Sequence, residues 1–314
     1  MNSKTEMARL TMRNYLPVIL AGAAGLPVAN DEGTRQMIRE FRHDNLLEIA
    51  EMAGFARAQN SSDFAAVMGT ALSAIINANF WPEYRRRLDT IARLVPVENF
   101  NETTVATITP PALCEVEEDA KTVFSPLTIT SQTGKIKTFE AVMTVSRQVW
   151  SSLGESLVQA VSQLSKSIYE LELSLIAEAL TEINFDTDNS TASALDITTL
   201  DSAMGWLESS ALTPSALMLA PGKTATVKTL LDAANLDFNL VVNPSLPPGA
   251  WYLLANPKEK AAIGKLVLRS DLMNNALAPR IGWTRIDTSR IGYYLPHDTG
   301  FIGMDRTAVY RGGV

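Results

Sequence analysis

The chain is poor in the residues from which small-molecule chemistry is usually built. Its 314 residues include one cysteine, Cys114, and two histidines, His43 and His297. A lone cysteine rules out an internal disulfide and suits a reducing cytosol. Two histidines far apart in sequence leave little for imidazole catalysis and no multi-histidine metal site. No stretch approaches the ~20 apolar residues that a membrane-spanning helix needs. Basic charge is scarce too: 27 lysines and arginines against 34 acids give a net charge of −7. That excludes a broad basic surface gripping nucleic acid, but not a protein that encloses nucleic acid without holding it. Repeats and low-complexity tracts are absent. What is plentiful is apolar content, 46% of residues, enough to core one large domain or two.

Lys4, Arg9 and Arg13 precede the run Tyr15 to Ala29, which imitates a secretory signal. Pro17 and Pro27 interrupt it, and Pro27 stands where a small residue should precede cleavage after Ala29. Residues 1 to about 33 are therefore expected to form an extended arm. From Thr34 to Leu94 the apolar spacing predicts helices. One run carries Met37, Ile38, Phe41 and Leu46; after Gly54 a second carries Phe64, Val67, Leu72, Ile75 and Ile76. Ser61 to Asp63 offer N-cap chemistry, Pro82 marks a break, and Tyr84 to Arg87 reads as a solvated basic helix face.

At Pro96 the character changes. Thr103 to Thr109, rich in Thr, Val and Ile, predicts a strand stopped by Pro110 and Pro111. The acids Glu115, Glu117, Glu118 and Asp119 follow. Strand alternation then resumes at Leu127, turns at Thr133 and Gly134, and continues through Phe139, Ala141, Met143 and Val145. This predicts a long hairpin arm with an acidic tip. A two-stranded ribbon is marginal alone in water and has open edges, so it is expected to rest on another subunit.

Gly154 to Ile183 predicts one long helix. Leu157, Val161, Leu164, Ile168, Leu171 and Leu175 form an apolar stripe, with Ser156, Gln159, Ser162, Ser165 and Glu172 mostly on other faces. At 1.5 Å per residue it would be about 45 Å long. Beyond the polar loop 186–193, a small α/β unit is expected: helix 200–207, strand 216–219, helix 224–233, strand 238–242, turn 243–249 and strand 251–254. Short strands follow near 266–268, 283–286, 291–294 and 307–310.

Catalytic candidates fail on spacing or chemistry. Pro221-Gly222-Lys223-Thr224 follows a strand and opens a helix, as a phosphate-binding loop would. That loop needs a second glycine five positions before Gly222, where Leu217 lies within the strand, so Lys223 and Thr224 read as a first helical turn. The neighbours His43–Asp44 and His297–Asp298 lack a nucleophile in a recognisable elbow. Acidic neighbours would raise the thiol pKa of Cys114. The Glu115 to Asp119 cluster lacks the spacing of a calcium loop. Trp150, Trp206, Trp251 and Trp283 read as core or interface anchors. No catalytic, cofactor-binding or metal residue is expected.

In this order of segments the chain resembles the major capsid protein of tailed double-stranded DNA bacteriophages, a fold shared with encapsulins and the herpesvirus capsid floor. Phe139 to Leu153 (FEAVMTVSRQVWSSL) looks like the family's strand entering its spine helix. Leu240 to Pro257 (LVVNPSLPPGAWYLLANP) is similar to the strand, turn and aromatic strand of the axial domain, and Arg306 to Gly313 (RTAVYRGG) to the closing strand. The resemblance implies an α+β fold. Residues 1–100 would be an N-terminal arm with helices, and 101–138 an E-loop hairpin lying across a neighbour. Residues 139–189 with 276–314 would form the peripheral domain, with spine helix 154–183, and 190–275 the axial domain. Some relatives crosslink through an E-loop lysine; Lys121, Lys135 and Lys137 are available, and no motif selects one. The implied function is a self-assembling shell of hexamers and pentamers around double-stranded DNA, formed in the host bacterial cytoplasm and resident in the virion. Its partners would be portal, scaffold, maturation protease and decoration proteins, with no membrane. The alternatives are an encapsulin-type compartment and a nucleotide-binding enzyme using Gly222, Lys223 and Thr224.

Overall fold

A computed structural model describes residues 69–109 except 71, 128–146, 154–259, 263–269, 281–286, 290–303 and 305–313. The expected arm and the first helical run lie outside these residues, as do His43, Trp150 and the acidic segment 115–119. The described residues fall into two compact units. One holds residues up to Arg86 with those in Thr138–Leu171 and Met273–Asp298; the other holds Arg87–Lys137, Glu172–Leu272 and Thr299–Val314.

The predicted break at Pro82 is instead a change of helix type. Ile76–Phe80 forms a π-helical turn and α1, Trp81–Leu88, follows directly, the Trp81 N–H reaching the Ile76 carbonyl. A proline early in a helix lacks only a donor that the wider turn leaves unused. Tyr84 stacks on Tyr169, with centroids 4.7 Å apart, and Arg86 and Arg87 are exposed.

The helical reading up to Leu94 is also corrected, because β1, Arg93–Val97, is a strand. It pairs in parallel with Ile263–Leu268 and, among the described residues, with no other strand, so it forms a sheet edge there, and an edge tolerates Pro96. The next strands are β2, Thr103–Thr109; β3, Thr128–Gly134; and β4, Lys137–Ser146. Helix α2 is Gly154–Thr181.

Its buried face differs from the predicted stripe. Leu164, Leu171 and Leu175 are only half-buried, whereas Ser165 and Glu172 are fully enclosed alongside Val161, Ile168, Leu173, Ile176 and Leu180. A true 3.6-residue period drifts off a 3.5-residue one, so the two stripes share Val161 and Ile168 and then diverge. Both polar intruders have partners. The Ser165 hydroxyl donates to the Val161 carbonyl at 2.9 Å, and Glu172 accepts from Lys265. Asn243, also buried, donates to the Leu173 carbonyl at 2.8 Å.

The second unit then builds a five-stranded sheet in the order β5–β12–β8–β6–β7. Its strands are β5, Ser190–Thr191; β6, Pro214–Leu219; β7, Asn239–Val242; β8, Trp251–Ala255; and β12, Val309–Gly312. Every residue of β8 is buried, and Trp251 stacks on Tyr310. Helix α3, Ile197–Ser209, packs on β6, β8 and β12 through Leu200, Ala203 and Leu207. Asp196 caps it, accepting from the Thr199 N–H at 2.8 Å. Helix α4, Thr224–Ala234, crosses from β6 to β7, which run parallel.

The remaining strands are β9, Ile263–Leu268; β10, Gly282–Arg285; and β11, Arg290–Gly303. β11 is far longer than the expected 291–294, because Pro296 fits extended backbone and does not end it. Its early residues pair with β10 in the first unit, and Gly300–Gly303 pair with Ile263–Leu266 of β9 in the second.

Candidate assembly site

β2 and β3 form the expected ribbon, antiparallel from Thr103 opposite Gly134 to Thr109 opposite Thr128. Neither pairs with a further strand among the described residues, so both outer edges are open. The root of the ribbon, however, is held by its own chain. Val105 packs against a cluster of Val97, Ile136, Leu266 and Ile302. The expected turn at Thr133 and Gly134 falls just after them: Lys135 and Ile136 bend away from the ribbon, Ile136 is buried, and the strand that follows, β4, pairs with β11 and not with the ribbon.

The bend is seated on β11 with no room to spare. A Cβ on Gly300 would come within 2.3 Å of the Lys135 carbonyl oxygen. One on Gly303 would meet the Ala179 carbonyl oxygen of α2 at 2.6 Å. Ribbon, helix and strand therefore meet backbone to backbone.

Their meeting leaves a cleft of 470 Å³. Phe100, Lys135 and Lys137 line the ribbon side, Glu178 and Glu182 the helix side, and Thr299 the floor. Phe100 is 47% exposed, an apolar side chain set in the polar loop Glu98–Asn99–Phe100–Asn101–Glu102. Thr299 is fully buried, and its hydroxyl finds no hydrogen-bond partner among the described residues. Lys135 and Lys137, singled out from sequence, are thus brought together, whereas Lys121 lies outside the described residues. Phe100, Glu178, Glu182 and Thr299 escaped notice in the sequence. The one local signal was an aromatic residue flanked by two asparagines and two glutamates.

The other sequence candidates do not converge. Leu217 is buried in β6 opposite Leu253, and Gly222 to Thr226 are exposed. Gly222 has φ +100°, and Lys223 begins α4 without a side-chain cap. His297 lies edge-on to Trp81, and the Asp298 carboxylate accepts from the Thr138 hydroxyl at 2.6 Å. Trp283 is half-buried in β10, as is Trp206 in α3, where its indole N–H has no hydrogen-bond partner among the described residues. Among the described residues, no three acidic, cysteine or histidine side chains cluster as metal ligands, and no helix is long and apolar enough to cross a membrane.

Comparison with curated proteins finds no significant match. Solved structures similar to the chain include the capsid of a native GTA particle computed with C5 symmetry. It is 11% identical, over 72% of this chain and 89% of that one, with a TM-score of 0.50. At that identity the likeness concerns the fold. Others are the holo-SrpI encapsulin complex from Synechococcus elongatus (13% identity, 72% and 86% coverage, TM-score 0.49) and Mycobacterium phage Bobi (15%, 72% and 89%, 0.49). The fold is the α+β fold of tailed-phage major capsid proteins. A family model described as "Phage capsid protein" matches residues 130–312. That span is more than half of the chain and runs from the ribbon's second strand to the closing strand β12, and on it the chain belongs to this phage capsid protein family.

Proposed function

We propose that the chain is the major structural subunit of an icosahedral phage head, assembling as hexamers and pentamers around double-stranded DNA and catalysing no reaction. The family match over residues 130–312 carries this reading. In it, residues 101–138 act as the E-loop, crossing a neighbouring subunit. Residues 139–189 with 276–314 form the peripheral domain, and 190–275 the axial domain around each capsomer centre. Portal, scaffold, maturation protease and decoration proteins are the partners, the shell forms in the host bacterial cytoplasm, and the product is the virion.

The work done is association. Each apolar Å² removed from water at a subunit contact contributes about 25 cal/mol, and every subunit repeats the contact. A net charge of −7 suits a container. Neutralising many phosphates would bind DNA too tightly for release. Negative-stain microscopy of the purified chain tests the proposal: hollow polyhedra of uniform size are expected. A small monomer persisting across salt and protein concentration refutes it. Particles that retain host enzymes in place of DNA refute the phage-head part.

A further inference from the structure

We draw no further inference here: the strongest candidate, the exposed face of helix α3 that carries Asp201, Gly205 and Glu208, is a helix face that no described residue covers, and nothing in the structure shows what would cover it.

Discussion

Replacing Gly300 with alanine should loosen the ribbon root from the chain's own core. A Cβ there meets the Lys135 carbonyl oxygen at 2.3 Å, its carbonyl carbon at 2.9 Å and the Ile136 Cα at 3.2 Å. All three are backbone atoms, so no side-chain rotation relieves the contact. Ordinary contact begins at 3.4 Å, so the bend must retreat by about 1 Å. Retreat draws Ile136 out of its cluster with Val97, Leu266 and Ile302. Overpacking of this kind costs about 1–3 kcal/mol, and partial exposure of an isoleucine adds about 1 kcal/mol. Against a typical total stability of ~5–15 kcal/mol the effect is large. Guanidinium unfolding followed by tryptophan fluorescence should show a lower midpoint at unchanged slope. Gly205→Ala is the matched control: its Cβ position is open and it lies inside α3, so the midpoint should rise by the equivalent of about 0.5–1 kcal/mol. A Gly300→Ala chain that unfolds at the wild-type midpoint refutes the seating of the bend on β11.

Glu172→Leu removes the carboxylate that faces the enclosed ammonium of Lys265 and should cost about 3–5 kcal/mol, while the double variant Glu172→Leu/Lys265→Met recovers most of it; denaturant midpoints of the three chains decide. Burial pushes the Tyr293 phenol well above its ordinary 10.0, and burial also raises Tyr252 and Tyr310. Because the unfolded chain ionises first, stability is full below pH 10 and falls as pH rises through it, and Tyr293→Phe should flatten that limb in an alkaline unfolding series. Thr199 hydrogen bonds hold the Asp196 carboxyl below its ordinary 3.8, so its contribution persists above that pH and is lost as pH falls through the depressed value. NMR titration of this carboxyl should place its midpoint below 3.8. Lys223→Ala should leave particle formation unaltered in electron micrographs and calorimetry should detect no nucleotide binding, because the residue sits in an exposed helical turn with no phosphate cradle before it.

Local chemistry made much of the fold readable. The threonine-rich alternation of 103–109 and 128–134 gives the ribbon, and the apolar run of 251–255 gives a strand with every residue buried. What escaped depended on distant partners. Pro96 reads as a change of character until its pairing with β9, with no other partner among the described residues, places it in an edge strand. Ser165 and Glu172 read as solvent-facing because nothing nearby announces the Val161 carbonyl or Lys265 that satisfy them. The cleft was hidden for the same reason: Phe100, Lys135, Glu178 and Thr299 come from four separate segments. Of the residues weighed as catalytic, the sequence alone already showed why Gly222 to Thr224 lacks a loop, since Leu217 lies in the strand.

The ribbon is better understood as two parts with different debts. Its root is anchored by apolar burial of Ile136 and Val97 and by glycines that let three backbones touch. That part needs no neighbour, so the expectation that the whole arm depends on another subunit is too broad. Beyond Val105 the two strands pair, among the described residues, with each other alone, and outer N–H and C=O groups of such a ribbon suit water or a further chain segment. Threonine at 103, 104, 107, 109, 128, 130 and 133 suits both conditions, because its hydroxyl is soluble and its β-branch favours extended backbone. A rigid root with open-edged, hydroxyl-rich strands can stay soluble as a free subunit. It can also present a preformed surface whose docking costs less conformational entropy than folding a disordered arm would.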